Sequence, residues 1–137
     1  MKLSDFDFRV WDGRKYVNNI KGGVYIHKDT DVKCLNRNQD CYNYEFQLDD
    51  LDNSNLEIEL FTGLYDKKDK KVYENDIVKV KSLYDYFLAK ISIHKEGTFY
   101  FEGKNGDYIG SLIYLVEDEG YTIEAIGNIH ENAELLK

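Results

Sequence analysis

His27, Cys34 and Cys41 lie in one polar stretch of this 137-residue chain, and they are the residues most suggestive of metal chemistry. Zinc sites use Cys and His at short paired spacings, because neighbouring side chains must close a tetrahedron around one ion. Neither cysteine has a second cysteine at knuckle spacing, and His94 and His130 are far away in sequence, so ordinary residues are the expected reading. The two cysteines are close enough for a short disulfide loop, which sequence leaves undecided. Asp50, Asp52 and Ser54 alternate as in a calcium loop, but the sixth position is not glycine and Phe61 stands where a bidentate glutamate would close the site. Gly22-Gly23 lacks the Lys-Ser/Thr ending of a phosphate loop and precedes strand-like residues, which marks a turn. No Gly-x-Ser-x-Gly elbow is present. The carboxylate groups Glu57/Glu59, Glu74/Asp76 and Glu117/Asp118/Glu119 are too ordinary in an acidic chain to single out an acid–base pair. They are expected on solvated faces. His94, next to an alternating strand, is expected to point away from the Ile91/Ile93 face into solvent. Accordingly, no residue is assigned as catalytic, cofactor-binding or metal-binding, and no cofactor is expected.

Charge narrows the binding classes. Twenty-six Asp and Glu oppose 18 Lys and Arg, a formal charge of −8, and this repels phosphate backbones and anionic membranes. The one dense basic cluster, Lys67, Lys68, Lys70 and Lys71, is interrupted by Asp66 and Asp69 and reads as a solvated turn. Neither nucleic acid nor membrane is therefore expected as a partner. Twelve Tyr and 7 Phe would offer stacking surfaces, but a single-strand groove also needs positive charge along the backbone. A tyrosine-rich core and rim is the better account.

The elements that would position these residues are mostly strands. Phe6, Phe8 and Val10 alternate with charges, Asp12-Gly13 supplies a turn, and Lys15-Tyr16-Val17 resumes the strand, together a hairpin. Val24-Tyr25-Ile26 follows as a third strand. Residues 27–42 lack a period and read as a long exposed loop, and 49–55 as a turn-rich connector with room for a helical turn. Leu56 to Leu60 alternates with Glu57 and Glu59 outward, and Ile77 to Lys81 alternates again. Phe87, Ala89, Ile91 and Ile93 share one face of a strand, and Phe99 and Phe101 share one on the next. Asn105-Gly106 is the strongest hairpin signal and joins Phe99–Phe101 to a strand starting near Tyr108. Leu112 to Val116 is too short to separate strand from helical turn. Asn132 is placed to cap a short terminal helix.

Apolar residues at 42% and charged residues at 32% make this a globular chain, long enough to bury roughly two-thirds of the surface its unfolded form exposes. Pro is absent, so Gly, Asn and Asp must make the turns. There is no membrane-length apolar run and no basic-then-apolar leader at the N-terminus, so a cytoplasmic location is expected.

Three stretches resemble the YopX family of phage and prophage proteins of Gram-positive hosts. Asp7-Phe8-Arg9-Val10-Trp11-Asp12 is similar to the family's opening FRAWD. Phe61 to Lys67 with Lys71 to Val78 resembles YTGLKDKNGKEIYEGDIV, and Ile126 to Leu136 resembles the closing IGNIYENPELL. Asn75 stands for the usual turn glycine, His130 for a tyrosine and Ala133 for a proline. The resemblance implies a mainly β fold, with an N-terminal β-hairpin lobe near residues 1–55, a small SH3-like β-barrel near residues 56–137 and few short helices. It implies no enzymatic activity, cofactor or catalytic residue, and Thr62-Gly63-Leu64 and Gly127-Asn128 read as turn and packing elements. The favoured function is a non-catalytic accessory protein that binds a host or phage protein in the host cytoplasm. Homo-oligomerisation would suit the aromatic load. The alternatives are an acidic DNA mimic that blocks a DNA-binding protein, and an uncharacterised enzyme, which a deep pocket near His94 or His130 would favour.

Overall fold

Alternating apolar residues and Gly/Asn turns give strands throughout the computed structural model. It describes residues 2, 5–17, 24–26, 32–39, 44–50 and 56–137, with the backbone alone for 24–26, 32–39 and 44–50. The chain divides into two units, Arg9–Glu59 and Met1–Phe8 with Leu60–Lys137. Strands β1 (Phe8–Trp11), β5 (Glu57–Tyr65) and β6 (Lys71–Tyr73) form a three-stranded sheet of order β1-β5-β6.

In the Arg9–Glu59 unit, the Asp12 turn closes as its composition indicates. The Asp12 carboxylate accepts the N–H groups of Arg14 and Lys15, and Trp11 bridges to Tyr16. Val24–Ile26 is a strand as expected (β2), but the stretch expected as a long loop holds β3 (Val32–Gln39), and with β4 (Tyr44–Asp50) these make an antiparallel sheet of order β2-β3-β4. β3 carries Lys33, Asn36, Arg37, Asn38 and Gln39 without sustained apolar alternation, but β4 pairs with it along Lys33–Gln39 and β2 along Val32–Cys34. Tertiary pairing here overrides propensity. Asp49 and Asp50 end β4 and form no helical turn. His27, Cys41, Gly22-Gly23 and residues 51–55 lie outside the described residues, and with them the zinc, phosphate-loop and calcium-loop readings.

The larger unit holds an antiparallel five-stranded sheet. Its order is β10 (Tyr108–Ser111), β9 (Phe99–Glu102), β8 (Tyr86–Ile93), β7 (Asp76–Lys81), β11 (Thr122–Asn128). Directly paired residues share a face. Val78 and Val80 pair with Ala89 and Phe87 on one side and with Ala125 and Ile123 on the other, and Ile91 pairs with Phe101. This face, with Val72 and Leu112, is the buried core, and each fully buried aliphatic or Phe contributes about 1.5–3 kcal/mol. The Asn105-Gly106 hairpin pairs β9 with β10 as expected. Leu112 to Val116 resolves as a short helical segment continuing into a π-helical turn, Tyr114–Asp118, and Ala133–Leu136 is a 3-10 turn. The fold is mainly β. Among the described residues β10 and β11 are the edges of an open sheet, so the expected barrel closure is not formed by these strands.

Candidate functional site

The motif residues mostly build the scaffold. Gly63 has φ +86° and lies where the β5–β6 register shifts, a backbone position that favours glycine. Thr62 is buried beside it, donates its hydroxyl to the Val72 carbonyl at 2.7 Å and accepts the Leu64 N–H. Asn75 takes the left-handed conformation, φ 69°, in the turn between β6 and β7, which explains how asparagine replaces glycine there. The buried Asp76 carboxylate accepts the Tyr73 N–H across that turn. In the closing motif, the Asn128 side-chain oxygen accepts the N–H groups of His130 and Glu131, and Asn132 Oδ1 accepts the Asn128 N–H. Asn132 stands at the N-cap position of the 3-10 turn as expected, but its side chain braces the end of β11 instead of bonding an N–H of the turn. A Cβ on Gly127 would lie 2.6–2.8 Å from the Asn132 side chain, so only glycine fits.

Three carboxylates expected in solvent are buried: Asp76, already described, Glu59 and Asp66. Glu59 is fully buried in the smaller unit, accepts Arg9 Nε at 2.6 Å and the Tyr16 hydroxyl at 2.9 Å, and the Arg9 guanidinium lies over the Tyr16 ring. These donors offset the cost of desolvating a charge, so Glu59 turns inward while Ile58 is partly exposed. Asp66 is also buried. Its two oxygens accept the N–H groups of Lys68, Lys70 and Ala125, tying the 66–70 turn to β11. Burial by itself would raise the Asp66 carboxyl; the three backbone donors, Ala125 foremost, outweigh it and hold the group below its ordinary range. Of the remaining pairs, Glu57 and the Glu117–Glu119 run are exposed, as expected, and Glu119 accepts the Tyr114 hydroxyl.

The outer face of the five-stranded sheet carries two groups that local sequence pattern does not reveal. At the β10 edge, His94, Tyr100 and Tyr108 form a ladder of rings. His94 stacks on Tyr100 with centroids 4.1 Å apart, and Tyr108 lies 5.4–5.6 Å from both. His94 is exposed as expected, and Tyr108 is 59% exposed. Ile109, Ile113 and Tyr114 are exposed on β10 and the π-helical turn that packs beside it.

At the opposite edge, Lys79 and Lys81 of β7 pair with Glu124 and Thr122 of β11. With Lys67 from the adjoining turn they line a cleft of about 30 Å³. Lys67 and Lys68 bond Glu124 at 2.8 and 3.1 Å and hold its carboxyl below the ordinary range. Lys79 lies 4.4 Å above the Tyr86 ring. Sequence read Lys67, Lys68, Lys70 and Lys71 as one turn cluster. The fold splits it, sending Lys71 to Asp7 at 2.9 Å, Lys68 to Glu124 at 3.1 Å, and Lys67 to the cleft it shares with Lys79 and Lys81 of β7.

No curated protein matches the chain. Two solved structures share the fold: protein yopX from Bacillus subtilis, and a protein from Enterococcus faecalis. Each is 23% identical with a TM-score of 0.60; the first match covers 95% of this chain and 97% of the other, the second 96% and 98%. The family model described as YopX protein matches residues 7–137, the span that holds the Arg9–Glu59 ion pair, the Thr62-Gly63 bulge and the Gly127–Asn132 brace, and the chain belongs to the YopX family.

Proposed function

We propose that this protein is a non-catalytic accessory protein of phage or prophage origin that acts by binding another protein in the host cytoplasm, through the β10 edge of its five-stranded sheet. The observation that carries the reading is the ladder of His94, Tyr100 and Tyr108, with His94 and Tyr108 exposed, together with the exposed Ile109, Ile113 and Tyr114 on β10 and the helical segment that follows it. Exposed aromatic side chains gathered at one place supply large contact area at low entropic cost, and they are enriched at protein interfaces. An edge strand also offers unpaired backbone groups, and the register shift between Tyr108 and Gly110 limits indiscriminate pairing there.

A row of phosphate-like carboxylates is less well supported as the working surface. Asp7, Glu59, Asp66, Glu102 and Glu124 are held by lysine, arginine or backbone donors within the fold. These groups are committed to internal structure and are poorly placed to replace a DNA strand.

The test is affinity capture from host cells, run in parallel with wild type and with the Tyr108→Ser/Tyr114→Ser variant. Both side chains are more than half exposed, so the variant should keep its fold. A partner should be retained by wild type and lost by the variant at equal melting temperature. Equal recovery of the same protein by both would refute the β10 edge as the binding surface.

A further inference from the structure

We infer that the cleft between β7 and β11 is a binding site for a phosphoryl oxyanion, free phosphate or the end of a phosphomonoester, held by Lys67, Lys79 and Lys81 with the Thr122 hydroxyl. This goes beyond the protein-binding surface, which lies at the other edge of the sheet.

The argument starts from local charge. The chain carries −8 overall, yet four lysines and one glutamate meet at this edge. Glu124 is shared by Lys67 and Lys68. Lys79 and Lys81 make no ion pair among the described residues, and the nearby buried carboxylate, Asp66, accepts backbone N–H groups. Four lysines against Glu124 and the ionised Asp66 leave a local charge of about +2. Lys79 and Lys81, two residues apart on the same face of β7, repel each other, and an anion between them would relieve that repulsion.

Geometry gives the same answer from a different direction. Lys79 and Lys81 alternate on one face of β7, and their cross-strand partners Glu124 and Thr122 lie beside them on β11. The Lys67 backbone N–H bonds the Ile123 carbonyl, which fixes the turn against that strand. The Tyr86 ring under Lys79 holds its ammonium by a cation–π contact. The site thus has two anchored ammonium groups, a third on β7 and a hydroxyl on the rim. The cleft is small, about 30 Å³, room for roughly two waters and of the scale of a single oxyanion group at its floor. Ammonium groups bind phosphate as point charges, without the planar fork of a guanidinium. Glu124 acts as an internal competitor, because it occupies Lys67 while the cleft is empty.

The test is an amide NMR titration of the full chain with inorganic phosphate and, separately, with phenyl phosphate, at ionic strength held near 0.15 M with chloride. Saturable shifts should centre on Lys67, Lys79, Lys81 and Ile123. The Lys79→Gln/Lys81→Gln variant should weaken binding at least about tenfold, and Glu124→Gln should strengthen it by releasing Lys67 and Lys68. Binding of free phosphate alone would identify an inorganic site; binding of both probes would identify recognition of the phosphoryl end, and either outcome supports the site. Shifts reproduced by chloride alone, no saturation with either probe, or unchanged affinity in the folded double-lysine variant would overturn it.

Discussion

Replacing Asp66 should unfasten the 66–70 turn from β11, and the size of the effect follows from its contacts. The carboxylate accepts three backbone N–H groups at 2.8–3.0 Å while almost wholly buried. Hydrogen bonds to a charged group contribute about 1.5–3 kcal/mol each. Water replaces the carboxylate easily at the exposed Lys68 and Lys70 positions, and poorly at Ala125. Asp66→Ala should therefore cost about 3 kcal/mol, roughly 10 °C in melting temperature. Asp66→Asn keeps the shape and should cost about 2 kcal/mol, because the new NH₂ faces the Ala125 N–H. The pH dependence carries a sign. The folded carboxyl lies below its unfolded value of about 3.9, so its stabilisation is complete above that value and is lost as pH falls through the folded one. Denaturant titrations at pH 7, 5 and 2.5 should show the gap between wild type and Asp66→Asn constant at the first two and shrinking at the last. An Asn variant as stable as wild type at pH 7, or a gap unchanged by acid, would refute this account.

Gly127→Ala should lose about 2–3 kcal/mol, since its Cβ would overlap the Asn132 side chain; in a thermal double-mutant cycle, Asn132→Gly should recover part of the loss. Glu59→Ala should cost about 3 kcal/mol or more by removing the acceptor of Arg9 and Tyr16, with hydrogen exchange accelerated first in the Arg9–Glu59 unit. Thr62→Val should cost about 1–2 kcal/mol in a denaturant titration, because the buried Val72 carbonyl loses its donor.

Period-two alternation revealed the sheet core, because Val78, Val80, Ala89, Ile91 and Phe101 obey a local rule. The Asn105-Gly106 turn was legible for the same reason. Strands β3 and β4 were not fully legible, because hydrogen bonds to neighbouring strands hold the polar β3 and apolar alternation does not mark it. Glu59 and Asp66 were misplaced because sequence shows the cost of burying a carboxylate but not the donors that offset it, which come from Arg9 and Tyr16, or from the distant Ala125. Both surface groups depend on pairings remote in sequence. Lys79 and Lys81 meet Glu124 and Thr122 only through β7–β11, and His94 meets Tyr108 only through β9. The motif residues gave the family early because turns and close approaches are local constraints, which short sequence stretches record well.

The most direct test of the central claim is amide hydrogen exchange on the complex recovered by affinity capture, compared with the free protein. Binding at the β10 edge predicts protection concentrated at Phe99–Glu102, Tyr108–Ser111 and the Tyr114–Asp118 turn, with the β7–β11 edge unchanged. Protection confined to other segments, with Tyr108–Ser111 exchanging as fast as in the free protein, would contradict it.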